Sequence, residues 1–153
     1  MIIVASDIKE LSILDKETIN RAEKVLITGV GGVNAVKTLI GYESPYDMDV
    51  LNVGYAGSNS LDVGTKVQVS IVNTHKYNVQ FDEEGVELDR ISDDLPAVPC
   101  YTASDFVTKT KVKEPAVFDM ELAYLAALGF RRLYSIKVVS DNLNVKQYER
   151  TAR

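Results

Sequence analysis

Four short runs of this chain are nearly continuous in apolar residues: IIVA (Ile2 to Ala5), KVLIT (Lys24 to Thr28), DVLNV (Asp49 to Val53) and YSIKVVS (Tyr134 to Ser140). A strand with one wet face alternates polar and apolar; a strand that does not alternate is covered on both faces. Such strands need helices between them, and the sequence supplies candidates. VNAVKTLIGY carries apolar residues at 33, 36, 39 and 40, a helical spacing, with Gly41 placed to end it. A second helix is expected from about Asp119 to Leu128, after Pro115 and before Gly129 in a left-handed cap. TKVQVSIVN (Thr65 to Asn73) alternates more openly, as a longer strand with a wetter face would, and PAVPCYT, bounded by Pro96, adds a short one. Asp7 to Leu14 reads as a turn or short helix, and the acidic stretch from Asp82 to Asp94 as a surface loop or hairpin. The expectation is one three-layer α/β domain over residues 1–153, with a mainly parallel or mixed central sheet and flanking helices.

Composition narrows what such a domain can do. A net charge of −5 argues against a nucleic-acid partner, since phosphate binding needs a basic excess. No apolar run approaches the roughly 20 residues of a membrane span, and the amino terminus lacks a signal-peptide pattern, so no membrane association is expected. The single cysteine, Cys100, fits a reducing cytoplasm, and one cysteine with one histidine, His75, argues against a structural zinc site. Nothing around either residue supports a Cys/His nucleophile.

In covered α/β sheets, ligands gather beyond the carboxyl ends of the strands. Three glycine or polar motifs fall there. TGVGG, after the second run, does not reproduce G-x-G-x-x-G, and it is either a tight strand-to-helix turn or a place where backbone N–H groups approach a small polar ligand. GYAG (Gly54 to Gly57) is a second glycine-bearing exit, either a plain turn or one wall of an open crevice. SDN (Ser140 to Asn142) ends the last strand, where Asp141 could cap the next turn or donate a proton. At the mouth of the second helix, Asp119 and Glu121 flank Met120, as a solvated cap or a ligand clamp.

GVGGVNAV, then NVGYAGS with DVGTKVQVS, then FDMELAYLAAL with VVSDN, occur in that order. In that order they resemble the purine nucleoside phosphorylase and nucleosidase superfamily, most closely its methylthioadenosine/S-adenosylhomocysteine nucleosidases. The resemblance runs from Ile2 to Asn142 and implies a catalyst that needs no cofactor or metal. It implies that Glu121 accepts hydrogen bonds from ribose hydroxyls and that Met120 packs on the sugar. Ser140 and Asp141 would set an acid beside N7 of the purine. Phe106 matches the base-stacking aromatic, with the backbone of Val107 beside the base edge, and Tyr55, Ala56 and Gly57 form the small-residue loop. Glu10 takes the place of the glutamate that activates the attacking water.

The chain also departs from that family. Tyr55 replaces a small hydroxyl residue, the segment from Leu14 to Lys24 is shorter, and the long helix that comes after the Ser-Asp strand is missing. Its absence would expose apolar surface, so a homo-oligomer is expected. The related phosphorylases carry an arginine where this chain has Asn52, which favours water over phosphate as acceptor. The expected activity is hydrolysis of the N-ribosidic bond of an adenosine-type nucleoside, with a 5′-thioether as one candidate substituent. The alternatives are a phosphorylase and a nucleoside-binding module without catalysis.

Overall fold

The structure is a computed structural model that describes residues 1–42, 44–75 and 85–151. Its strands are β1 (Ile2–Ala5), β2 (Lys24–Ile27), β3 (Asp49–Ser58), β4 (Lys66–Thr74), β5 (Val86–Glu87), β6 (Ala97–Thr102), β7 (Val117–Asp119) and β8 (Arg132–Asp141). The helices are α1 (Lys16–Arg21), α2 (Gly32–Ile40), α3 (Leu122–Ala126) and α4 (Val145–Thr151), with a 3-10 turn over Ile8–Ile13.

The lack of alternation in the central strands has a direct structural cause. Along β1, Ile2 and Val4 enter one core while Ile3 and Ala5 enter another. Along β3, Val50 joins the first core, and Leu51 and Val53 join the second. The first core also holds Ala35 and Leu39 of α2 and Leu122 and Leu125 of α3. The second is backed by Leu11 and Ile13 of the 3-10 turn and by Ile19 of α1. Each such side chain contributes roughly 1.5–3 kcal/mol when fully removed from water. The sheet is thus the middle of three layers, as expected.

The sheet is mixed. β1 pairs in parallel with β2 and β3, and β3 pairs in parallel with β8 along nearly its whole length. β8 then pairs antiparallel with β4, β4 in parallel with β6, β6 in parallel with β7, and β7 antiparallel with the end of β3. The circuit β3–β8–β4–β6–β7 therefore closes on itself. Closure of that circuit leaves no free edge among its five strands and curls the strand ends around a common centre.

Four local expectations change. β3 does not stop at Val53 but runs through GYAGS to Ser58, with a register shift between Ala56 and Gly57. VFD, read as the start of a helix, is strand β7; all three residues are buried, so no alternation marks them. The helix begins at Leu122, and Gly129 adopts the expected left-handed φ of +72°. A short helix, α1, fills the segment after Leu14, with the Asp15 side chain accepting from Thr18 N–H at 2.7 Å. The inward face of α2 is Gly32, Ala35 and Leu39, while Val33 and Ile40 are exposed. Small residues face inward because the Tyr124 ring of α3 lies against Gly32, where an added Cβ would come within 2.2 Å of it. Positions 82–84 of the expected hairpin lie outside the described residues, and β5 pairs antiparallel with β4. Among the described residues, no helix is long and apolar enough to cross a membrane.

Candidate active site

The ends of β1, β3, β7 and β8 meet around a cavity of about 200 Å³. The ten residues singled out from the sequence all line it: Glu10, Tyr55, Ala56 and Gly57, with Phe106, Val107, Met120 and Glu121, and Ser140 with Asp141. They come from five separated segments, which the closed circuit of strands draws together.

Glu10 is delivered by the 3-10 turn after β1. Asp7 caps that turn, and the Glu10 carboxylate reaches back to it in a capping box. Its Oε1 accepts from Ser6 N–H, Ser6 Oγ and Asp7 N–H at 3.0, 2.5 and 3.0 Å. Among the described residues its Oε2 accepts only from Tyr55 N–H, at 2.8 Å, and keeps a lone pair for another donor. Asp141, fully buried at the end of β8, accepts from Ser140 Oγ at 2.6 Å through Oδ1 and from Leu143 N–H at 2.9 Å through Oδ2. The cap reading of SDN therefore holds, and the same carboxylate lines the cavity. Leu143 adopts a φ of +63°, a left-handed conformation that costs a non-glycine residue about 1–2 kcal/mol.

The glycines of GYAG make room for these carboxylates. A Cβ on Gly54 would stand 2.6 Å from Glu10 Oε2, and one on Gly57 would stand 2.9 Å from Asp141 Oδ2. The motif is a strand surface stripped of side chains so that two acids can lie on it.

Glu121 precedes α3, and its Oε1 accepts from Gly31 N–H at 2.9 Å, at the start of α2. Gly31 reaches that position with a φ of +97°, which glycine adopts freely. TGVGG is thus both a strand-to-helix turn and a backbone donor to an acid of the cavity. Burial raises the Glu121 carboxyl above its ordinary value, and Asp119 adds to the shift, while Lys137 and Gly31 N–H oppose it.

Asp119 lines the bottom of the cavity, and Lys137 lies behind it, outside the lining. Lys137 Nζ lies 3.2 Å from Asp119 Oδ2, and both side chains are almost wholly buried. The same Oδ2 accepts from Leu122 N–H at 2.9 Å, while Oδ1 accepts from Thr102 Oγ1 at 2.5 Å. Asp119 thus fixes the start of α3 and with it Glu121. Burial opposes the charge on Lys137, but Asp119 and the neighbouring Cys100, Glu121 and Glu10 outweigh it, and the ammonium is held above its ordinary value. The Cys100 thiol donates to Asp119 Oδ1 at 3.4 Å; burial and that carboxylate push it well up, so it is no nucleophile.

Sequence reasoning did not single out Lys137 or Tyr148. Lys137 had a visible signal, being the one charge inside an otherwise apolar strand core. Tyr148 had none: it reaches the cavity only because α4 folds back, its ring centroid 5.4 Å from that of Phe106. Among the described residues, every charged side chain lining the cavity is acidic, namely Glu10, Asp105, Asp119, Glu121 and Asp141. Such a wall suits developing positive charge and repels an incoming dianion.

No protein-family model matches the chain, and no curated protein matches it by sequence. Solved structures do match it. An Asp-to-Asn variant of Helicobacter pylori 5′-methylthioadenosine nucleosidase, with 5′-methylthioadenosine in its active site, superposes with a TM-score of 0.71 at 15% identity, over 99% of this chain and 92% of that one. The Helicobacter pylori futalosine hydrolase gives 0.73 at 13% identity, over 99% and 89%. The Chlamydia trachomatis methylthioadenosine nucleosidase bound to adenine gives 0.73 at 14%, over 99% and 88%. The chain has the nucleosidase fold. The likeness spans nearly all of each molecule, so the architecture inferred from ordered sequence motifs and the architecture observed are the same.

The floor makes a quantitative test available. Replacing Lys137 by Met keeps the volume but leaves buried carboxylates without their cation. Removal of one partner of a buried pair costs about 3–5 kcal/mol. K137M is expected to lose stability of that order in urea denaturation, and a loss under about 1 kcal/mol would mean that the pair does not hold the floor together.

Proposed function

We propose that the protein is a nucleosidase that hydrolyses the N-ribosidic bond of an adenosine-type purine nucleoside. The observation that carries this reading is the convergence of Asp141, Glu10 and Glu121 on one cavity with no cationic side chain among its described lining residues. Asp141 acts as the acid at N7, with Ser140 orienting it through the 2.6 Å hydrogen bond. As the bond from C1′ to the base lengthens, its electron pair moves into the purine and the proton from Asp141 neutralises it. The sugar acquires oxocarbenium character, which the surrounding carboxylates stabilise. A water held at Glu10 Oε2 adds to C1′, and its proton passes to that carboxylate. Glu121 accepts the ribose hydroxyls, Met120 packs on the sugar, and Phe106 with the Val107 backbone bounds the base. The acidic wall favours water over phosphate, so product is expected with or without added phosphate. Nucleoside binding without any base release would select the inactive binding module instead.

We also propose that the protein works as a homo-oligomer in the cytoplasm, where a lone thiol stays reduced. Val30, which lines the cavity, is exposed, as are Val33 and Ile40 on α2, and a second copy would cover them. Sedimentation should give at least a dimer at micromolar concentration; a monomer there would reject this part of the proposal.

Replacing Asp141 by Asn should lower kcat about 10²–10⁴-fold in an assay of free base release, with little change in melting temperature. Unchanged turnover would strip Asp141 of its role. The pH profile supplies a second check. Glu121 must be ionised to accept sugar hydroxyls, and its carboxyl titrates above 4.5 because it is buried. Hence kcat/KM should fall as pH drops through a limb centred above 4.5, and a limb centred below that value would count against the assignment.

A further inference from the structure

The segment that joins β6 to β7 runs beside the site, and part of it is a wall with a cavity on either side. Asp105, Phe106 and Val107 line the cavity of about 200 Å³, and they also line a second one of about 260 Å³, together with Ser104, Thr108 and Lys109. From Ser104 to Lys109, no backbone or side-chain group makes a hydrogen bond among the described residues. Both ends of this stretch are tied. Ala103 N–H donates to Asp119 O at 2.9 Å, while Thr110 Oγ1 accepts from Val112 N–H at 3.1 Å and lies 3.0 Å from His75 Nε2. Farther on, Asn59 Nδ2 donates to the carbonyls of Val112 and Glu114 at 3.0 and 2.9 Å. The Phe106 ring leans on Tyr148 of α4, with centroids 5.4 Å apart. That opposite side is stitched down: Asn142 Nδ2 donates to Ser58 O and Leu61 O at 3.2 and 2.8 Å, and Asn142 N–H donates to Gln147 Oε1 at 2.6 Å. A stretch without hydrogen bonds opens at a lower free energy than one so anchored.

Volume gives that opening a direction. Pockets for small organic ligands run from about 300 Å³ upward, so the first cavity is short of room for a base and a sugar together. On the nucleosidase reading, on which this step rests, one wall has to yield, and the wall at 105–107 backs on to the second cavity. We infer that residues 104–109 form a strap that retreats into the second cavity to admit the nucleoside, then returns to lay Phe106 over the base. Tyr148 and α4 are the fixed jaw against which it closes. Lids of this kind exclude water and set the rates of entry and release.

Cys100 is buried, so a cysteine introduced at the surface can be labelled alone. Thr108→Cys on the strap and Glu149→Cys on α4, both exposed positions, each take an environment-sensitive fluorophore in the full chain. On rapid mixing with adenine, emission at position 108 should change and that at 149 should not. Ala103→Leu fills the second cavity from the tied end, and Thr108→Trp fills it from an exposed position should A103L melt early. A blocked strap slows association and dissociation of adenine alike, each by about tenfold, with Kd nearly unchanged. A response at 149 with silence at 108, filled variants with unaltered rates, or weaker binding with no slower dissociation would each overturn the inference. Base release from adenosine is followed alongside. If base is released while position 108 stays silent, the strap fails and the hydrolase reading stands. If adenine moves the strap but no nucleoside loses its base, the hydrolase reading fails and the strap stands as the lid of a binding module. Absence of adenine binding would end both.

Discussion

Lys137 and Asp119 meet 3.2 Å apart where neither side chain reaches solvent. A buried ion pair adds little net stability over a well-packed apolar pair, because desolvation offsets most of the attraction. What this pair provides is position. Asp119 also holds Thr102 of β6 and the first N–H groups of α3, while Lys137 stands on β8. The two ends of the closed strand circuit are locked to each other at the level of the cavity floor. Glu121 inherits its place from that lock, and its second anchor, Gly31 N–H, ties the same carboxylate to α2.

The acids above the floor are crowded, and Glu10 and Asp141 are held there by backbone N–H groups and serine hydroxyls. Glu10 takes three N–H or O–H donors on one oxygen, and Asp141 is held by Ser140 and by the turn after β8. Fixed donors of this kind need no reorganisation when charge develops on a substrate. The acids so held also explain why β3 lacks side chains at Gly54 and Gly57, since a Cβ at either position would clash with a carboxylate oxygen.

Much of this was legible in the sequence. The doubly covered sheet could be read from runs such as IIVA and DVLNV that do not alternate. The cavity lining could be read from motif order, and the structure brings those ten residues around one space. The parts that were not legible have physical reasons. A strand as short as β7, buried on both faces, has no period to betray it, so VFD merged with the helix behind it. Of the apolar positions that marked α2, Leu39 is buried while Val33 and Ile40 are exposed, because close packing against the Tyr124 ring puts Gly32 and Ala35 on the inward face. Glycines in GYAG looked like a turn because sequence alone does not distinguish conformational freedom from the need for space. Tyr148 was invisible because only the folding back of α4 brings it near Phe106.

Cys100 is the only thiol in the chain, and it lies wholly inside, against Asp119. Reagents that modify thiols need both access and the thiolate, and this site withholds the two together. Modification therefore has to wait until β6 and β7 part far enough to admit solvent. The rate at which an alkylating reagent consumes Cys100 is accordingly a built-in clock for opening at the floor of the site, readable by mass alone and with no label introduced.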